Sequence, residues 1–284
     1  MRWQGRRKSD NVEDRRGIGG RGLAVGGGLG GLIIVALYFL LGGNPDEITQ
    51  SLQTGGLSSS TEVGRPLSEK DKEMGEFVSV VLADTEDVWG TVFGESGQQY
   101  RQPRLVLFTD QVQSACGYAG AATGPFYCPG DEKVYLDLSF FDEMQRRLGA
   151  PGDFAMAYVV AHEVGHHVQT LLGIMDEVMS RRGRVSEREF NELLVRLELQ
   201  ADFLAGVWAH YARRTTGYLE EGDIEEGLNA ASAVGDDRIQ RQSQGYVVPD
   251  AFTHGTSEQR VRWFKKGLET GDISQGDTFN ARIL

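Results

Sequence analysis

The sequence predicts an α+β fold, mostly helical with a small sheet, preceded by one transmembrane helix. Three observations carry this: an uncharged apolar stretch near the start, two short β-type runs before the middle, and helical patterning over nearly everything after them. With 284 residues, 40% of them hydrophobic, the chain can build one sizeable core once its N-terminus is set aside.

Residues 1–21 form a basic N-terminus, with seven Lys/Arg against three Asp/Glu. No charge then occurs from Gly22 to Pro45, and "LAVGGGLGGLIIVALYFLL" would span about 28 Å as a helix, close to the roughly 30 Å of a bilayer core. The expectation is a transmembrane signal anchor over residues 22–43. A cleaved signal peptide is the rival reading, since a basic region precedes the stretch. Against it, the run is long and the following "GGNPDEITQ" lacks an A-x-A-like site. Arg6 and Arg7 give only a weak twin-arginine signal. The positive-inside tendency would keep the N-terminus cytoplasmic and put the rest outside, in a single-pass protein of the inner membrane with a periplasmic domain. That remainder carries 22 basic and 38 acidic side chains, net −16, which argues against a nucleic-acid partner. The sequence shows no internal repeat, phosphate loop or zinc finger.

Residues 44–67 are Gly/Ser/Thr-rich and read as a flexible tether to a domain over 68–284. That domain opens with a helix, "SEKDKEMGEFVSVVLADTEDVWGTVF", capped by Ser68 and striped with apolar residues. Strands follow at Arg104 to Phe108 and Lys133 to Leu138. The only cysteines, Cys116 and Cys128, lie between them. In an exported domain they would form a disulfide, fastening a Gly-rich loop and contributing up to about 3 kcal/mol. A zinc site using both thiols lacks a second ligand pair at finger spacing.

The chemistry concentrates in "DFAMAYVVAHEVGHHVQTLLG", a helical pattern closed by Gly173. At about 100° per residue His162 and His166 share a face, with Glu163 beside them. Two imidazoles four apart can hold one Zn²⁺, which leaves the adjacent carboxylate free to take a proton from water. The plainer alternative is a helix with satisfied core histidines. In such apolar surroundings, however, each unpartnered polar group would cost a few kcal/mol. A catalytic zinc needs a third protein ligand. The H-x-x-G-x-x-H continuation is excluded, because Gln169 and Leu172 stand where Gly and His would be. Acids between Asp176 and Glu192 alternate with arginines and read as a solvated face. Glu198 and Asp202 are the only acids in "LLVRLELQADFLAGVWAHYA", four apart and hence on one face. One can bind a metal while the other orients an imidazole; the competing reading is an exposed acid pair. His167 points about 100° from His166, and His210 lies about 18 Å along the helix from Glu198, so neither is favoured as a ligand.

The segments "AHEVGHHVQ", "LELQADFLAG", "CGYAGAATGPFYCPGDEKVYLDLSFF" and "FTHGTSEQRVRWF" resemble the bacterial neutral zinc metallopeptidases, a family of membrane-anchored proteins, over roughly Met74 to Leu284. The pairing of H-E-x-x-H with E-x-x-A-D is also similar to the wider gluzincin peptidases. The resemblance implies a zincin-like catalytic domain holding one Zn²⁺ per chain, with His162, His166 and Glu198 as ligands, Glu163 as general base and Asp202 supporting an imidazole. It implies a peptide or protein substrate whose backbone adds to an edge strand, and Val134 to Leu138 is nominated for that role. Thr256 and Gln259 resemble a capping box, which places His254 just ahead of a helix. Many gluzincins use a histidine or tyrosine to steady the oxyanion, and His254 is the histidine left for it; the plainer alternative is a histidine that packs at a turn. The alternative function is a non-catalytic, metal-stabilised envelope binding or assembly factor, which would not need Glu163.

Overall fold

The computed structural model describes residues 1–17, 66–120, 123–215, 217 and 219–284. Its first strand comes from an unexpected place. β1 (Val12–Asp14) lies in the basic N-terminus and pairs in parallel with β2 (Arg104–Phe108), matching Val12 to Leu105 and Asp14 to Leu107. Between them in sequence runs α1 (Glu69–Glu95), opened by Ser68 in a reciprocal capping box with Asp71. A hairpin of β3 (Gln111–Ser114) and β4 (Gly117–Gly120) follows, then β5 (Phe126–Cys128) and β6 (Lys133–Asp137). The main sheet has the order β1-β2-β6-β5, with only β5 antiparallel.

Alternation along β2 and β6 divides this sheet into two faces. Leu105, Leu107, Val134 and Leu136 enter the main core with Phe77, Leu82 and Trp89 of α1. Val106, Phe108 and Tyr135 form a second, smaller core with Val112 and Ala119 of the hairpin and Cys128 of β5. The expected Cys116–Cys128 disulfide is present, with Cα atoms 5.8 Å apart, and it fastens the hairpin turn to β5. The nomination of Val134 to Leu138 as an edge is corrected: β6 is bonded on both sides, to β2 and β5, and so offers no free edge.

The rest is helical: α2 (Ser139–Arg146), α3 (Asp153–Leu171), α4 (Ile174–Ser180), α5 (Glu187–Thr215), α6 (Asp223–Ala233), α7 (Asp236–Gln244) and α8 (Ser257–Thr270). Two close approaches set the geometry of this bundle. A Cβ at Gly165 of α3 would stand 3.0 Å from the Ala201 carbonyl of α5. At Gly206 and Gly267 a Cβ would fall about 2 Å from the carbonyls of Phe264 and Phe203, so α5 and α8 touch backbone to backbone.

Residues 1–16 are built into this domain rather than standing apart from it. Arg6 forms a two-pronged pair with Asp84 at 2.6 Å, and Arg7 bonds Glu86 at 3.0 Å. Ser9 and Asn11 also donate to Glu86. Arg16 lies over Gly75 of α1 and donates to the Asp71 carbonyl at 2.6 Å. The Met1 ammonium is buried against Asp153 at 2.9 Å and Asp223 at 3.3 Å.

No helix among the described residues is long and apolar enough to cross a membrane. This corrects the expectation of one transmembrane helix ahead of the domain. The stretch that carried it, 22–43, and the tether as far as residue 65 lie outside the described residues. The correction has a physical basis in the packing of residues 1–16: a segment docked on the domain cannot also sit across a bilayer from it.

Candidate metal centre

Gly165 lies between His162 and His166, so the close contact it permits brings both histidines up to the stretch of α5 that carries Glu198. Ligand atoms of His162, His166 and Glu198 gather within 4.8 Å of one another. His162 Nε2 is 3.1 Å from Glu198 Oε2, and His166 Nε2 is 3.4 Å from Glu198 Oε1. Both imidazoles turn Nε2 inward because their Nδ1 atoms are engaged elsewhere. His162 Nδ1–H donates to Asp202 at 2.9 Å and His166 Nδ1–H to Gln169 Oε1 at 2.9 Å. Two inward Nε2 atoms, one carboxylate and an acceptor behind each ring form a set of groups that fits Zn²⁺ once the imidazoles give up their Nε2 protons.

The electrostatics favour a cation at this point. Burial opposes charge on His162, but Asp202 and Glu198 outweigh it and push its pKa up to about 10. Glu198 is half-buried and partly desolvated, yet His166 and His254 hold its carboxyl well below the usual range. Glu163 behaves oppositely: burial raises its pKa against the pull of the two imidazoles.

Asp202 is fully buried and is held by residues that sequence reasoning missed. Arg260 of α8 donates to its two oxygens at 2.7 and 3.0 Å, and the Tyr158 hydroxyl donates to Oδ1. Arg260 reaches it through the α5–α8 contact at Gly206 and Gly267. The available signal was an arginine at a helical position shared with Phe264 and Gly267, one turn and two turns on. Replacing Arg260 by Met should lower the free energy of unfolding by about 3–5 kcal/mol, because Asp202 would stay buried without its guanidinium. Urea unfolding measures this, and a loss below about 1 kcal/mol would mean that Arg260 does not support Asp202.

His254 stands beside the centre on a loop anchored by Asp236. One Asp236 oxygen accepts the backbone N–H groups of Thr253, His254 and Gly255 at 2.7–3.2 Å, while the other lies 3.2 Å from His254 Nδ1. Gly255, at φ +88°, packs against Val195 and Leu199 of α5, on either side of Glu198 in sequence. The expected capping box of Thr256 with Gln259 is formed. Burial disfavours charge on His254, but Asp236 and Glu198 raise its pKa overall. The other two histidines are structural, as expected. His167 is held between the Tyr127 hydroxyl and the Arg101 carbonyl, and His210 bonds the Leu268 carbonyl.

Two imidazoles from one helix and a carboxylate from a second, beside a small mixed sheet, make up a group that could hold a metal ion. A family model described as "Putative neutral zinc metallopeptidase" matches residues 1–279. The chain is 51% identical over 289 residues to the protein named "Uncharacterized protein YpfJ" of Escherichia coli strain K12, with both chains covered in full. It is 46% identical over 196 residues to "Uncharacterized protein Mb2605" of Mycobacterium bovis and to "Uncharacterized protein Rv2575" of Mycobacterium tuberculosis, covering 65% of each chain. No solved structure matches. The chain belongs to this neutral zinc metallopeptidase family, and the matched region includes the N-terminal residues that dock on the domain.

Proposed function

We propose that the protein is a zinc-dependent peptidase that hydrolyses peptide bonds in extracytoplasmic proteins. The observation that carries this reading is the convergence of His162, His166 and Glu198 within 4.8 Å, with Glu163 buried next to them. When bound, zinc would supply a Lewis acid for the scissile carbonyl and make water a better nucleophile. Glu163, whose raised pKa makes it a stronger base, takes the proton released as water attacks and then delivers it to the leaving amine. As the imidazolium that Asp236 and Glu198 favour, His254 donates Nδ1–H to Asp236 and has Nε2–H for the developing oxyanion. Asp202 fixes the His162 ring. For the substrate backbone we assign β5 instead of β6, because β5 lies at an edge of the sheet and, unlike the edge strand β1, is tied to α3 through Tyr127 and His167. The Cys116–Cys128 disulfide supports a working place in an oxidising compartment.

The rival reading, a metal-stabilised binding factor, gives Glu163 nothing to do. Metal analysis and a peptide-cleavage assay on the full chain test the proposal. The wild type should bind one zinc and cleave. Glu198→Ala should lose zinc, whereas His254→Ala should keep it and lose about 10²- to 10³-fold in turnover. Full zinc occupancy in Glu198→Ala would remove that ligand. Lost zinc in His254→Ala would make His254 a ligand instead.

A further inference from the structure

The Gln169 amide lies behind His166, and its own partners lead away from the centre to the end of the chain. Gln169 Nε2 donates to the Leu197 carbonyl at 2.7 Å and to Gln200 Oε1 at 3.0 Å. Gln200 Nε2 donates in turn to the Gly276 carbonyl at 2.9 Å. Both glutamines are buried, Gln169 completely.

A carbonyl oxygen only accepts, so each carbonyl dictates which way its glutamine faces. Leu197 requires Gln169 to present its nitrogen there, which leaves Oε1 toward His166. Gly276 requires the same of Gln200, which leaves Oε1 toward Gln169. An amide oxygen facing His166 Nδ1 needs a proton on Nδ1, and that bond turns Nε2 of the ring toward Glu198.

The segment that supplies Gly276 is itself firmly held. Arg196 donates to the carbonyls of Thr278, Phe279 and Ala281, and Thr278 Oγ1 returns a bond to the Arg196 carbonyl at 2.7 Å. A Cβ at Gly276 would come within 2.6 Å of the Phe203 ring, so glycine lets this backbone settle against α5. We propose that residues 272–284 act as a strap which, through Gln200 and Gln169, holds the Nδ1–H of His166 and with it the orientation of that ring. Gln169 and Gln200 are thus positioning residues for the metal centre. Their role there rests on the zinc reading above, whereas the held Nδ1 proton can be read without metal.

The test uses the metal-free full chain labelled with ¹⁵N-histidine, read by NMR, alongside zinc affinity from chelator competition. In the wild type His166 should hold a proton on Nδ1, slow to exchange. Gln169→Met should make that proton exchange rapidly and weaken zinc by about 10- to 100-fold, as loss of a partner behind a ligating histidine does. Gln200→Met, and a chain ending at Gly271, should speed its exchange in the same direction, with about a 10-fold loss of zinc affinity. His167, held between Tyr127 and Arg101, reports whether the fold is intact in each variant. Should the shortened chain unfold, Gln200→Met decides. Unchanged His166 signals and zinc affinity in both glutamine variants would overturn the relay. An Nδ1 proton that responds in a chain binding no zinc would uphold the relay and defeat the zinc reading.

Discussion

Replacing Glu163 by glutamine is expected to leave zinc content and folding unchanged and to reduce peptide turnover by about 10²- to 10⁴-fold. The carboxamide has nearly the same shape, so the packing of α3 against α5 at Gly165 is undisturbed. It cannot accept a proton, however, and the burial that raises the pKa of Glu163 is then of no use. Glu163 is not among the three residues whose ligand atoms gather within 4.8 Å, so zinc should persist. Turnover within threefold of wild type would remove Glu163 as the base. Loss of zinc would show that it ligates.

Removing residues 1–16 should destabilise the domain by about 3 kcal/mol or more, read as a fall in the urea midpoint of the otherwise complete chain. Glu86 is 3% exposed and receives Arg7, Ser9 and Asn11, all from the removed segment. Stripped of them, it becomes a buried charge without compensation, which typically costs about 3–5 kcal/mol. β2 would lose the strand that covers its outer edge, leaving its N–H and C=O groups exposed. A midpoint unchanged by the deletion would mean that the segment only rests on the surface.

Much of the bundle was legible because its signals are local. Ser68 and Thr256 sit at helix starts with the partners their spacing foretells, and the helix carrying His162 and His166 ends where Gly173 turns left-handed at φ +75°. The three side chains whose ligand atoms gather within 4.8 Å could also be found, as each pattern needs only one helical turn. What stayed hidden depends on contacts made across long stretches of chain. Arg260 meets Asp202 from 58 residues away, and the Gln200 amide reaches Gly276 from 76. Neither the internal position of β6 nor the edge position of β5 follows from strand patterning, because alternation reveals a strand's faces and says nothing of its neighbours. The partners of the N-terminal arginines were hidden for the same reason. Arg6, Arg7 and Arg16 read as a charge bias across a membrane, yet they find their partners in Asp84, Glu86 and the Asp71 carbonyl.

The bond from Arg16 to the Asp71 carbonyl, 2.6 Å long, closes the first residues of the chain onto the start of α1. β1 could leave the sheet only if Glu86 gave up its donors from Arg7, Ser9 and Asn11, so the opening residues and the domain that carries the candidate metal centre move as one piece.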